Sequence, residues 1–115
     1  MWKDTEKCQP PGPVSVLHVH GTGDSSFDGG KDTPSAEESV TFWAANNRCG
    51  PAQQGPWLNL NSLIIGSETE TISWPNCARG TNVSFWIMHY ARHIPFINAS
   101  FITRVLDHLL AQRRL

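Results

Sequence analysis

Two short apolar runs, each followed by a polar loop and then by a helical pattern, most restrict the folds open to this chain. The runs span residues 14–20 and 83–89, and both are rich in β-branched or aromatic residues. Such runs are typical of buried parallel strands. Strands that alternate with helices imply a mostly parallel sheet with helices packed on both faces, so we predict an α/β fold.

The helices that follow these strands carry recognisable signals. Ser35 and Glu38 predict a capping box at the start of the first helix, and Gly50 lies at its end. The last helix is predicted from a continuous apolar stripe, which consists of Ile102, Val105, Leu106, Leu109 and Leu110. Residues 63–65 and 69–74 predict one or two further strands at the edge of the sheet.

The length of the chain limits it to one domain. Its 115 residues are few for a complete α/β enzyme. Residues 1–13 contain three prolines and predict an irregular lead-in, whereas residues 14–115 predict part of a single domain.

Charge and hydropathy argue against two classes of partner. The net charge of -1 gives no electrostatic reason to bind nucleic acid or an anionic membrane surface. No apolar run approaches the roughly 18–20 residues that span a bilayer. The N-terminal residues also lack the apolar core of a signal peptide. We therefore expect neither nucleic acid nor membrane as a partner.

The cysteines allow one internal disulfide at most. The chain has three, at Cys8, Cys49 and Cys77, without the paired spacing of zinc or redox sites. Cys49 and Cys77 each lie where a helix or strand ends in a turn, so we predict that these two form the bond in an oxidising compartment.

An acidic residue and a histidine follow the two main strands. Asp24 lies in the loop after residues 14–20, and His93 lies in the loop after residues 83–89. Ligands of open α/β sheets bind at the carboxyl ends of the strands, where these loops should meet. A carboxylate that accepts the Nδ1–H of an imidazole fixes its tautomer and stabilises its protonated form, as catalytic triads require. The order acid, then histidine, is that of serine α/β-hydrolases, whose nucleophile comes first.

Four segments carry a more specific resemblance. They are residues 13–24 (PVSVLHVHGTGD), residues 39–50 (SVTFWAANNRCG), residues 74–77 (WPNC) and residues 93–95 (HIP). Together they resemble the polyhydroxybutyrate depolymerase and feruloyl esterase group of secreted α/β-hydrolases, and the similarity covers nearly the whole chain from Cys8 onward. The chain differs from that group at residues 90–92, which read Tyr-Ala-Arg where the group usually has a glycine-rich turn, and in residues 25–28.

The resemblance implies a partial α/β-hydrolase fold that lacks its N-terminal half. It makes Asp24 the triad acid and His93 the general base in hydrolysis of a polyester, feruloyl or acetyl ester through an acyl-enzyme, without a cofactor. It also implies an extracellular location. No G-x-S-x-G motif occurs in the chain, so the serine and the oxyanion hole are expected upstream, and the chain alone is expected to be inactive. Its expected partners are the ester substrate and the missing half, or a second copy paired along an exposed sheet edge.

Several alternatives remain open. Asp28 is a second candidate for the acid, while His20 and Gly21 are expected to support the loop that carries Asp24. His18 and His20 share one strand face, as two metal ligands would, and Asp24, His89 and His93 could complete such a site. We favour the triad and expect no metal. A third hypothesis is an inactive hydrolase remnant or interaction module.

Overall fold

The computed structural model describes residues 9–64, 66–92 and 96–112. The elements found there, in chain order, are β1 (Val16–Gly21), α1 (Ala36–Asn46), β2 (Gln53–Gln54), β3 (Thr69–Trp74), a short 3-10 helix (Ala78–Gly80), β4 (Val83–Met88) and α2 (Ala99–Ala111). None of these helices is long and apolar enough to cross a membrane.

The four described strands form one mixed sheet in the order β1-β4-β3-β2. β1 is parallel to β4, whereas β3 is antiparallel to both β4 and β2. The α/β class is confirmed, but the mostly parallel sheet is not. The reason is the connection between β3 and β4, because residues 75–82 are too few for the crossover of about a dozen residues that a parallel pair needs.

The predicted minor strands need two corrections. Residues 69–74 do form β3, but it lies between β4 and β2 and is not at the edge. The edge strand next to β3 is β2, which consists of two glutamines and therefore shows no apolar pattern in the sequence. Leu63 and Ile64 lie in a turn, and Ile65 is outside the described residues.

The alternation of side chains along β4 separates two cores. Val83 and Phe85 contribute to the α1-side core, which they share with Ala36, Val40 and Ala44. Trp86 and Met88 contribute to the α2-side core, which is completed by Leu60 and Ala91 and covered by Phe101 and Val105 of α2. The sheet is thus packed against helices on both faces, as the sequence predicts.

Local hydrogen bonds fix both ends of α1. The Ser35 hydroxyl accepts from the Glu38 N–H, and a Glu38 carboxylate oxygen accepts from the Ser35 N–H, each at 3.0 Å, so the predicted capping box is confirmed. Beyond the other end, a disulfide joins Cys49 to Cys77, and the Ala78 N–H donates to the Asn47 carbonyl at 2.7 Å. These contacts tie the end of α1 to the segment that follows β3.

α2 packs on the sheet through only one flank of its apolar stripe. Phe101 and Val105 contact the α2-side core. The other stripe residues, Ile102, Leu106, Leu109 and Leu110, are more than half exposed, and Leu110 is 82% exposed. His108 is half-buried, with its ring against Trp86. The stripe is therefore wider than the surface that the described sheet offers to it.

Candidate functional site

The loops after β1 and β4 lie side by side because these two strands are parallel neighbours. The Thr22 N–H donates to the Met88 carbonyl at 3.1 Å, and the Gly23 N–H donates to the Ala91 carbonyl at 2.8 Å. In the other direction, the Tyr90 N–H donates to the Thr22 hydroxyl at 2.8 Å. Asp24 is thus carried by a loop that is hydrogen-bonded to residues 90 and 91.

Glycine is required where these loops touch. A Cβ atom at Gly21 would overlap the Ala91 carbonyl oxygen, and one at Gly23 would lie 2.8 Å from the same atom. A backbone carbonyl cannot move aside as a flexible side chain can. Gly21 therefore supports the Asp24 loop by allowing the loop after β4 to pack closely against it.

Ser26 and His20 hold the carboxylate of Asp24 through hydrogen bonds. Oδ1 accepts from both the N–H and the hydroxyl of Ser26 at 2.9 Å, and Oδ2 lies 3.0 Å from Nε2 of His20. The side chain of Asp24 is only 7% exposed. A buried carboxylate needs donors of this kind, since without them its desolvation would be costly.

His18 extends this network along β1. Its Nε2 lies 3.1 Å from Nδ1 of His20. Burial, followed by the nearby His20 ring, lowers the pKa of His18 below its ordinary value. A neutral His18 donates its Nε2–H to His20, and His20 then donates its own Nε2–H to Asp24, which is the tautomer pattern that satisfies all three groups.

Ser26, which the sequence analysis did not identify, does not complete a triad with these groups. Its hydroxyl lies 3.3 Å from Nε2 of His20, the same nitrogen that faces Asp24. A triad histidine uses one nitrogen for the acid and the other for the nucleophile. The Asp24 carboxylate accepts from the backbone N–H two residues later, which is an Asx turn. Asp often forms this turn, so the local sequence could have indicated the contact with Ser26.

His93 lies outside the described residues, as do Ile94 and Pro95. The described residue just before it, Arg92, lines a cavity of about 250 Å³ together with His18, His20, Asp24 and Ser26. Asp28, the second candidate acid, is exposed and does not line this cavity.

The residues considered as metal ligands are divided between two places. His18 and His20 belong to the Asp24 network, whereas Nε2 of His89 lies 3.0 Å from Oε1 of Glu70 and its ring stacks on Trp57. Within the part of the chain that the structure describes, no group of three or more His, Cys, Asp or Glu side chains is arranged to hold a metal ion.

Comparisons with protein-family models, with curated proteins and with solved structures gave no significant match to this chain. They show no family for it, so the resemblance to esterases stays a prediction.

Proposed function

We propose that this chain is part of a serine-type carboxylic ester hydrolase in which Asp24 is the acid and His93 the general base. The proposal includes a partial α/β-hydrolase fold whose nucleophilic serine and oxyanion hole come from outside this chain. The substrate is an ester of the polyester, feruloyl or acetyl class. In the reaction, His93 takes the proton of the serine hydroxyl and returns it to the leaving alcohol, while Asp24 stabilises the imidazolium.

The observation that carries this proposal is the hydrogen bond from the Gly23 N–H to the Ala91 carbonyl. It joins the residue before Asp24 to the residue two positions before His93. A carboxylate and an imidazole on loops held together in this way can meet without a large movement of either strand. The cavity shared by Asp24 and Arg92 lies at the same junction.

The existing hydrogen bonds of Asp24 are compatible with this role. A carboxylate accepts hydrogen bonds at about four sites, so it can bind several donors at once, and His20 and Ser26 are two of the residues that donate to Asp24. They also fix its orientation. His20 is then a positioning residue, in line with the support expected of it.

A titration of the His93 ring tests the pairing directly. We expect Asp24 to raise the pKa of His93 above the ordinary histidine value of about 6.5, because a nearby carboxylate favours the charged ring. NMR of the Cε1–H signals, assigned with His93→Ala, gives this value. Asp24→Asn should abolish the increase, and Asp28→Asn should leave it unchanged. An identical His93 titration in wild type and Asp24→Asn would refute the pairing.

Activity measurements address the reaction itself. We expect the chain alone to hydrolyse p-nitrophenyl acetate and butyrate no faster than background. Co-expression with the N-terminal half of a related esterase should restore turnover that either His93→Ala or Asp24→Asn abolishes. Saturable turnover by the chain alone, with a burst that titrates an acyl-enzyme, would show a nucleophile within it.

A second candidate function, an interaction module, is favoured by the position of β1. It lies at the edge of the described sheet and pairs only with β4 there. Because alternate residues of a parallel strand point their backbone groups to opposite sides, Leu17 and Val19 direct theirs away from β4. Such an edge pairs readily with another strand. Light scattering after size-exclusion chromatography, applied to the variant Leu106→Gln/Leu110→Gln at several concentrations, tests whether a second copy occupies this edge when the exposed flank of α2 is polar.

A further inference from the structure

A second cavity lies on the α1 side of the sheet and shares no residue with the Asp24 cavity. Its volume is about 660 Å³, within the range of small-molecule sites. α1 packs mainly on β1 and β4, so it leaves the same face of β3 open. Ile72 and Trp74 of β3 form part of the floor of this cleft, which we call the β3 cleft.

Three aromatic residues line the β3 cleft together with aliphatic ones. Phe27, Trp74 and Phe85 all line it, and the rings of Phe27 and Phe85 are stacked with centroids 6.3 Å apart. Phe85 is only 3% exposed and Phe27 stacks on it, so these two rings form a wall of the cleft and we assign contact with a ligand to Trp74. The negative face of an aromatic ring attracts organic cations.

The charged groups at the β3 cleft are also of one sign. The carboxylates of Asp28, Glu37 and Glu38 line it, and no Lys or Arg is among its described lining residues. Glu38 is engaged in the capping box, but the hydrogen bonds of the described residues include none to the side chain of Asp28 or Glu37.

The N-terminus of α1 and His89 both lie near the β3 cleft, but neither outweighs the negative charge of its carboxylates. The N-terminus of α1 contributes roughly half a positive charge, against three carboxylates. His89, which also lines the cleft, lies 3.0 Å from a carboxylate oxygen of Glu70, which places a further negative group beside it.

From this combination we infer that the β3 cleft binds a small organic cation that carries an apolar or aromatic body. The body lies on Trp74 and Ile72, and the ammonium group faces Asp28 and Glu37. This site is separate from the proposed Asp24–His93 pair and does not depend on it.

Three probes with related shapes test the inference on the full chain. Benzyltrimethylammonium has both the ring and the cation, tetramethylammonium lacks the ring, and benzenesulfonate has the ring with the opposite charge. The indole N–H of Trp74, assigned with Trp74→Phe, reports binding in an NMR titration. We expect benzyltrimethylammonium to bind at least tenfold more tightly than benzenesulfonate and more tightly than tetramethylammonium, with affinity that falls as salt is added.

Variants of the rim separate the site from non-specific attraction. The double variant Asp28→Asn/Glu37→Gln should weaken binding of benzyltrimethylammonium by roughly threefold to tenfold, as expected for two exposed charges. Asp107→Asn, an exposed carboxylate on α2, should leave binding unchanged. Thermal melts check that each variant is folded. Equal affinity for the cation and the sulfonate, shifts confined to other tryptophans, or an unchanged affinity in the double variant would each overturn the inference.

Discussion

Nε2 of His20 lies 3.0 Å from Oδ2 of Asp24, across one turn of chain at the end of β1. The Ser26 hydroxyl lies 3.3 Å from the same nitrogen, and Nδ1 of the same ring faces His18. Both ring nitrogens of His20 therefore have hydrogen-bond partners. These contacts hold the Asp24 carboxylate at the junction of the two loops.

Replacing His20 should cost more stability than replacing His18. His20→Phe removes a donor from a buried carboxylate, which should lower the free energy of unfolding by about 1–3 kcal/mol. His18→Phe leaves the bond to Asp24 in place and adds apolar surface beside Phe85, so its cost should be less than half as large. Urea unfolding of both variants measures the difference. Equal losses would mean that the bond between His20 and Asp24 contributes nothing.

Gly21→Ala should disrupt the junction of the loops. The added methyl group would overlap the Ala91 carbonyl, and we expect a loss of about 1–3 kcal/mol in the free energy of unfolding. Gly30→Ala is the matched control, because a Cβ there meets nothing within 4 Å and should change stability by less than about 0.5 kcal/mol. Amide hydrogen exchange at Thr22 and Gly23 should accelerate in the first variant only. Similar stabilities for the two variants would contradict the close approach.

The stabilisation that depends on neutral His18 and His108 should be lost as the pH drops below about 6.5, the ordinary histidine value. Burial lowers the pKa of both His18 and His108 in the folded chain. The unfolded chain therefore binds protons first on acidification. The stabilisation is fully present above that pH and is lost as the pH falls towards the lowered values.

Urea unfolding between pH 8 and pH 5.5 measures this dependence. The slope cannot exceed about 1.4 kcal/mol per pH unit for each histidine. His18→Gln and His108→Gln should each flatten it. A pH dependence that is the same in both variants as in the wild type would contradict the prediction.

Reduction of the Cys49–Cys77 disulfide should destabilise the chain. The bond closes a loop of sequence separation 28, and the chain-entropy model gives roughly 3.5 kcal/mol for a loop of this size. Thermal melts with and without dithiothreitol measure the effect. The double variant Cys49→Ala/Cys77→Ala should melt near the reduced wild type and should not respond to the reductant. A response in that variant would assign the effect to another group.

The exposed flank of α2 should drive self-association. Leu106 and Leu110 are both more than half exposed, so Leu106→Gln/Leu110→Gln should shift the chain towards monomer with little change in thermal stability. Light scattering after size-exclusion chromatography provides the mass, and Thr103→Gln is a control on the exposed surface of the same helix. A wild-type chain that is monomeric at every concentration would contradict this prediction.

Several elements followed from the sequence alone because short stretches of chain determine them. The capping box needs only Ser35 and Glu38, three positions apart, and the residues of β3 carry their own alternation within 69–74. Short stretches of chain also determined the strands of the two main apolar runs, the two helices and the loop position of Asp24. The triad roles of Asp24 and His93, and the esterase itself, stay predictions.

Tertiary structure decided what depends on contacts between distant segments. Whether β3 runs parallel or antiparallel to β4 depends on the length of their connection, and the pattern within β3 is the same in both cases. The apolar stripe of α2 is wider than the α2-side core. Only the packing of the helix on the sheet therefore determined that Phe101 and Val105 are the residues in contact. His20 reaches Asp24 only because the turn after β1 folds back on its own strand, and the β3 cleft exists only because α1 packs over β1 and β4. A sequence pattern records which residues avoid water, whereas their partners are fixed when the elements pack together.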